Sequence, residues 1–215
     1  MWVDLTDPNA DPAFVHAFMK EVYLEIFFYN QHIVEATFAI IGQLPRDLEI
    51  RALKAMLRHQ AEEFDHGEMA LRDYVGMGGS EAEARQMRLS PGSFAASGMW
   101  WMLARMRDPF AYLGAEYLFE SLTPILSETV KPYLAKKGMP SKSLEFIEFH
   151  AEEDPKHAKL MQELIAQVVE KYPKAMESIA YGFDCFEFVY PIPVWRCAHL
   201  RATTACQTPL SSLWT

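Results

Sequence analysis

The feature that most limits the fold of this chain is a series of long segments whose apolar residues recur with the period of an α-helix. The first runs from Ala13 to about Ile41, and Asp11-Pro12 before it is typical of a helix N-cap followed by a first-turn proline. Further helices are predicted over about residues 46–75, 94–107 and 143–172, with one more opening at Asp108-Pro109 and another after Pro173. Strand signals are nearly absent, so the sequence predicts an all-α fold.

The chain length and the loss of this period near the C-terminus predict one domain with a tail. A chain of 215 residues is long enough for one sizeable core, and two domains are not expected. From Pro191 onward the sequence has no clear period. We therefore expect a single helical domain over residues 1–190 and an irregular tail over residues 191–215.

Composition and charge exclude several classes of protein. Apolar residues make up 50% of the chain and aromatic residues 13%, which is too much for a disordered protein. The net charge of −9 argues against a nucleic-acid partner, because binding one requires cations that neutralise phosphates. No apolar run approaches the ~18 residues of a membrane span, and the N-terminus lacks the pattern of a secretory signal. The few cysteines form no disulfide or zinc pattern, so we expect a cytoplasmic protein.

Three polar residues lie on the apolar stripe of one predicted helix, within "EFIEFHAEEDPKHAKLM". A helix turns by about 100° per residue, so His150, Asp154 and His157 fall within roughly 60° of arc. Phe146 and Met161 point the same way. An unpaired polar group on such a stripe is costly to bury, so these side chains require partners.

Other predicted helices bring carboxylates or imidazoles to an inner face as well. "HQAEEFDHGEM" places Glu63 and His66 one turn apart, and "AYLGAEYLFESLTP" places Glu116 and Glu120 one turn apart. Glu35 shares a face with apolar residues of the first helix. Carboxylates that bridge and balance the charge of two iron ions, completed by neutral imidazoles, are the donor set of dinuclear iron proteins, and manganese accepts much the same ligands.

Simpler interpretations of each residue remain open. A lone Glu-x-x-His is common in helices, Glu62 beside Glu63 is compatible with plain surface, and Glu116 and Glu120 could pair with cations. Asp154-Pro155 also has the pattern of an N-cap followed by a first helical residue. A proline inside a regular helix lowers the stability of that helix by about 3 kcal/mol, so Pro155 is not expected in the middle of one. The conjunction on four separate helices favours a dinuclear site.

At these residues the chain resembles the haem-oxygenase-like diiron oxidases and oxygenases. His150-x3-Asp154-x2-His157 resembles the signature of that family's third core helix. "LGAEYLFESLTP" is similar to the segment that supplies its middle glutamate, and "AEEFDHGEM" to its Glu/His helix. The resemblance spans roughly residues 62–161 and implies a haem-oxygenase-like bundle of about seven helices.

The resemblance also implies a ligand set for two ferrous ions, with dioxygen as co-substrate. Within this set Glu63, Glu120 and His150 are expected to take part directly in catalysis, and Glu63 or Glu120 to bridge the metals. The implied metal ligands are Glu63, His66, Glu120, His150, Asp154 and His157. The alternatives are Glu62 or His59 for Glu63, Glu116 for Glu120, and Glu35 as an additional carboxylate.

The implied activity is the dioxygen-dependent oxidation of a small molecule in specialised metabolism. N-oxygenation, desaturation and carbon–carbon cleavage are the reaction types, and we favour an amino-acid-derived substrate. We expect no nucleic-acid or membrane partner and allow for an external electron donor and a homodimer. Three alternatives stay open: a ferritin-like four-helix bundle, in which His150 is not a ligand; a metal-free enzyme of the thiaminase type; and a non-enzymatic iron-binding helical protein.

Overall fold

The computed structural model describes residues 2–207 and consists of helices joined by short loops. No strand is present in this range, which confirms the all-α prediction. The helices are α1 (Trp2–Thr6), α2 (Pro12–Ile41), α3 (Ile50–Glu62), α4 (His66–Gly76), α5 (Glu81–Ala84), α6 (Pro91–Leu103), α7 (Ala111–Lys136), α8 (Glu145–Lys171), α9 (Ala175–Val189) and α10 (Ile192–Gln207). Short 3-10 segments precede α4 (Glu63–Asp65) and α8 (Ser141–Ser143).

Helix α2 is the central element of one half of the bundle. The Asp11 carboxylate accepts the backbone N–H of Ala13 at 3.0 Å and Pro12 occupies the first turn, as the sequence predicts. The helix packs against α4, α6 and α10. Its buried side chains include Phe18, Tyr23 and Tyr29, each no more than 1% exposed.

Helix α7 joins the other half of the bundle by packing against α8 and α9. Two glycines allow α7 and α9 to approach closely. A Cβ at Gly114 would overlap the backbone carbonyl of Ile179, and a Cβ at Gly182 would overlap that of Ala111. Because Gly114 lies two turns before Glu120 on α7, this contact fixes the helix that presents the predicted glutamates.

The predicted tail is wrong for residues 192–207, which form α10. Val194, Ala198 and Ala202 recur every four residues and are fully buried, on a helix that packs against α2 and α6. Two of these residues are alanines, so the apolar stripe has too little contrast to be recognised as periodic. Residues 208–215 lie outside the described part of the chain.

The second predicted helix, residues 46–75, is also wrong in detail. Helix α3 begins only at Ile50, and the 3-10 segment Glu63–Asp65 separates it from α4. The buried faces of α3 and α4 lie on the same side. The apolar period therefore continues through the 3-10 segment, and the sequence does not indicate the break. A 3-10 stretch inside a helical run often marks a functional position.

Asp154-Pro155 does not begin a helix. Helix α8 runs without interruption from Glu145 to Lys171 with Pro155 inside it, which excludes the N-cap interpretation of Asp154. His150, Asp154 and His157 therefore share one helix face, as the period predicts. Within residues 2–207, none of the helices combines the length and the apolar character needed to cross a membrane.

Candidate metal centre

Most of the predicted donors are buried where α3, α4, α7 and α8 meet. Burial of so many ionisable groups in one place requires mutual pairing or a bound cation. The buried set, each member at most 7% exposed, is His59, Glu63, His66, Glu116, Glu120, His150, Asp154 and His157.

Glu63 lies between two groups of donors and belongs to both. Its Oε2 is 2.7 Å from Nδ1 of His66, and its Oε1 is 3.4 Å from Nδ1 of His157. The donor atoms of each group lie within 4.8 Å of one another. The first group is His59, Glu63, Glu120 and His157, and the second is Glu63, His66 and His150. A carboxylate shared in this way is the arrangement needed to bridge two metal ions.

Glu120 organises the first group through its two oxygens. Oε1 lies 3.1 Å from Nε2 of His59, and Oε2 lies 3.4 Å from Nδ1 of His157. Burial by itself raises the pKa of Glu120, but the neighbouring imidazoles of His157 and His59 outweigh it and lower this pKa. The Glu120 carboxylate is therefore held in its charged form, which is the form that binds a metal ion.

The second group contains a histidine whose tautomer is fixed. Nδ1 of His150 lies 2.7 Å from the carbonyl oxygen of Phe146, which only accepts, so Nδ1 carries the proton and donates it. Nε2 of His150 points toward Nδ1 of His66 at 3.2 Å. Burial and the neighbouring His66 lower the pKa of His150 to about 3. His150 is thus neutral with an unprotonated Nε2, which is the form in which an imidazole binds a metal ion.

Asp154 adjoins the first group without belonging to it. Its Oδ1 lies 3.7 Å from Nδ1 of His157 and has no hydrogen-bond partner in the described structure. Burial, followed by the charges of Glu120 and Glu63, raises the pKa of Asp154 to about 10. Without a cation beside it, this carboxyl group therefore takes up a proton at neutral pH.

His59 belongs to the first group and Glu116 contacts it from outside that group; the sequence indicated both only as alternatives. Nδ1 of His59 lies 3.5 Å from Oε1 of Glu116 while its Nε2 faces Glu120. Burial opposes protonation of His59, but Glu120, Glu116 and Glu63 outweigh it and raise its pKa to about 9. Burial raises the pKa of Glu116 to about 8 against the opposing effect of His59. The His59 proton thus balances negative charge that a metal ion would otherwise balance.

The residues present fit a pair of divalent cations. Four buried carboxylates face four imidazoles, and within the described part of the chain several of their oxygen and nitrogen atoms lack a hydrogen-bond partner. Oxygen and imidazole nitrogen donors in this ratio suit iron or manganese. Within residues 2–207, the possible metal-binding atoms without a hydrogen-bond partner are Oε1 of Glu63, Oε2 of Glu116, Oδ1 of Asp154 and Nδ1 of His157.

Two alternative donors are placed outside the cluster. Glu35 is exposed on α2 and accepts a hydrogen bond from Gln31 at 3.3 Å, so the prediction of an additional first-helix ligand is wrong. Along a helix of 30 residues, an apolar stripe rotates gradually around the helix axis. At the helical turn that contains Glu35, the face that carries this residue therefore points to solvent. Glu62 is 62% exposed in its side chain, and only its Oε2, 3.4 Å from Nε2 of His157, approaches the edge of the cluster.

Asp73 is a supporting residue that sequence reasoning missed. It is fully buried on α4, and its carboxylate accepts the backbone N–H groups of Glu145 and Phe146 at the start of α8. The available signal was spacing, because Asp73 lies seven residues after His66 and therefore on the same helix face.

A narrow cavity of about 30 Å³ adjoins the donors between α2, α7 and α8. Two lining residues connect the cavity to the cluster. Thr123 lies one turn after Glu120, and the ring of Phe146 stacks on His150 with 3.7 Å between centroids. The rest of its wall is mostly apolar and carries no charged side chain: Met19, Val22, Ile26, Tyr29, Leu126, Ser127, Val130, Ile147, Tyr190 and Trp195. Such a cavity takes a small uncharged group.

Comparisons with known proteins agree with this architecture. The chain resembles a crystal structure from Shewanella denitrificans described as a domain of unknown function with a haem oxygenase-like fold. The TM-score is 0.70 at 19% identity, over 96% of this chain and 83% of that one. It also resembles a TenA homologue from Pseudomonas syringae pv. tomato, with a TM-score of 0.66 at 13% identity, over 94% of this chain and 84% of that one.

These two likenesses establish the haem oxygenase-like fold, as the sequence resemblance implies, in place of a ferritin-like bundle. No curated protein matches the sequence significantly. The model of the family described as iron-containing redox enzymes matches residues 20–188, which include every residue of both donor groups. The chain therefore belongs to the family of iron-containing redox enzymes.

Proposed function

We propose that this protein is a non-haem diiron enzyme that uses dioxygen to oxidise a small molecule. The observation that carries the proposal is the shared position of Glu63, whose two oxygens face two different groups of donors. A structural polar network needs hydrogen-bonded partners for its buried atoms, whereas Oε1 of Glu63 and Oδ1 of Asp154 have none among residues 2–207.

The residues divide into two sets around Glu63. Glu120 and His157, with His59 beside them, would hold one ion, and His66 with His150 would hold the other. Asp154 completes the set from the edge of the first group. When bound, two ferrous ions would supply the electrons that activate dioxygen.

The chain itself contributes orientation and exclusion of water. The Phe146 carbonyl fixes the tautomer of His150, and burial of all the donors keeps bulk water from the site. The neighbouring cavity is uncharged, so it would take an apolar part of the substrate. A polar amino-acid-derived head group would then lie toward the donors, and N-oxygenation, desaturation or carbon–carbon cleavage are the reaction types to screen.

The test is anaerobic titration of the protein with ferrous iron, followed by rapid mixing with dioxygen. We expect about two irons per chain, consumption of dioxygen and a transient visible absorbance. Glu63→Gln should lose at least one iron, while its exposed neighbour Glu62→Gln serves as the matched control and should keep both. A folded protein that binds no iron would contradict the proposal.

A metal-free enzyme of the thiaminase type is the alternative that failed iron binding would favour. Such an enzyme requires a nucleophile such as cysteine. Cys185, Cys197 and Cys206 lie on α9 and α10, whereas the donors lie on α3, α4, α7 and α8 and the 3-10 segment before α4. No cysteine therefore belongs to either donor group.

A further inference from the structure

The outer side of α3 carries three exposed cations around one shallow depression. Arg51, Lys54 and Arg58 are all exposed and surround Leu57, which is 41% exposed. We call these four residues the α3 basic face. They border a shallow open depression of about 550 Å³.

The three cations of this face have no ion pair with any residue of the described range 2–207. Two other exposed arginines differ in this respect, because Arg72 pairs with Glu145 and Arg85 pairs with Glu68. The α3 basic face therefore presents its full charge to solvent, on a protein whose net charge is −9. A cationic face on an acidic protein steers and orients an acidic partner.

The α3 basic face lies behind the donor cluster. The inner side of the same helix carries His59, and the helix ends at Glu62, whose Oε2 is 3.4 Å from Nε2 of His157. An α-helix with its side chains is about 10–12 Å across. A partner bound to the face would therefore lie about one helix diameter from the first group of donors.

The proposed chemistry requires electrons from outside the substrate. For N-oxygenation the balance is RNH2 + O2 + 2e− + 2H+ → RNHOH + H2O. One oxygen atom enters the new N–O bond, the other leaves as water, and the protons come from solvent. Two electrons must therefore reach the site for every turnover, and two reduced one-electron carriers supply them when each is oxidised once.

We infer that the α3 basic face is the docking surface for an acidic one-electron carrier protein of the iron–sulfur type. This inference rests on the proposed function. The face supplies the charge that selects such a carrier, Leu57 supplies an apolar contact at its centre, and the helix behind it leads to the donors. Nucleic acid is the competing polyanion, and the experiment includes it.

The experiment measures binding of an acidic plant-type [2Fe–2S] ferredoxin to the full chain by isothermal titration calorimetry at low and at physiological salt. Iron-free protein is used, so the result does not depend on activity. The variant R51E/K54E/R58E reverses the face. The control R88E/K142E/R196E makes the same change of charge at exposed cations elsewhere.

We expect the control to bind like the wild type and the face variant to bind roughly tenfold more weakly, because each reversed exposed pair contributes modestly. Added salt should weaken the wild type more than the face variant. The inference is overturned if ferredoxin does not bind, if both variants bind equally, or if a short DNA duplex shows the same dependence on the face.

Iron binding and dioxygen consumption with a chemical reductant are measured on the same proteins. If both are normal while ferredoxin fails to recognise the face, the docking surface is wrong and the proposed function stands. If the wild type binds no iron, the proposed function fails independently of the ferredoxin result.

Discussion

Oδ2 of Asp73 accepts the backbone N–H of Phe146 at 2.8 Å, so a side chain of α4 caps the first turn of α8. Oδ1 of the same carboxylate accepts the N–H of Glu145 at 3.2 Å. Leu144, at the N-cap position of α8, has no side chain able to do this. Because α4 carries His66 and α8 carries His150, this bond fixes the two helices of the second donor group relative to each other.

Replacing Asp73 with alanine should lower the free energy of unfolding by about 1–2 kcal/mol, because two N–H groups at the start of α8 lose their acceptor. Urea denaturation measures the change. Asp65, which is exposed in the 3-10 segment before α4, is the matched control. Asp65→Ala should change the free energy of unfolding by less than about 0.5 kcal/mol. Equal losses in both variants would show that the cap does not stabilise α8.

The same residue should give stability a specific dependence on pH. Burial raises the pKa of Asp73 from its ordinary value of 3.8 to about 6, although the bonds from Phe146 and Glu145 oppose this. The folded protein then holds this proton more tightly than the unfolded chain. Stability from Asp73 is therefore fully present below the unfolded pKa and lost as pH rises through about 6.

Comparison with Asp73→Asn, which cannot ionise, isolates this contribution. The difference in unfolding free energy, wild type minus variant, should fall by about 2 kcal/mol between about pH 4 and about pH 7. Urea titrations across that range measure it. A flat difference would mean that Asp73 has an ordinary pKa in the folded protein.

Glu120 and Glu116 should respond differently to amide substitution. Glu120 faces both histidines of the first group, whereas burial keeps the pKa of Glu116 at about 8 and Glu116 contacts only His59 among them. We expect Glu120→Gln to lose one of the two irons and Glu116→Gln to retain both. Metal analysis after anaerobic loading decides between them, and the reverse pattern would assign the ligand role to Glu116.

Iron binding should release protons and strengthen as pH rises. Without a cation, burial and neighbouring carboxylates hold the pKa of Asp154 at about 10, so this group must lose a proton to become a ligand. Ferrous affinity should increase from about pH 6 to about pH 8. Calorimetry in buffers of different ionisation enthalpy counts the protons. Asp154→Asn should bind iron more weakly and release fewer protons, and an affinity independent of pH would contradict this assignment.

The crossing of α7 and α9 should not tolerate a methyl group. Gly182→Ala places a Cβ against the backbone carbonyl of Ala111, and we expect a loss of about 1–3 kcal/mol. A Cβ at Gly98 on α6 would meet no described atom within 4 Å beyond its chain neighbours and the backbone of its own helix, so Gly98→Ala should stabilise the helix by about 0.5–1 kcal/mol. Thermal denaturation of both variants tests this opposite change in stability. Equal stability of the two variants would show that α7 and α9 can move apart without loss of free energy.

The sequence by itself determined the helices and the local pairs of donors within them. A period of 3.6 residues places Glu63 near His66, and His150 near Asp154 and His157, on one face each, because these relations depend only on helix geometry. The same period correctly placed Phe146 and Met161 on the buried stripe of α8. It failed at α10, where alanines gave a weak stripe, and at the 3-10 segment after α3, where the period continues through the break.

Only the tertiary structure decided which faces meet. Glu35 and Glu120 each share a helix face with apolar residues in the sequence. Glu35 is nevertheless exposed to solvent, whereas Glu120 lies between His59 and His157. The sharing of Glu63 between two groups and the cap from Asp73 to Phe146 join residues on different helices. A helical pattern fixes the side of the helix on which a residue lies, but the neighbour that this side meets depends on packing between segments far apart in the chain.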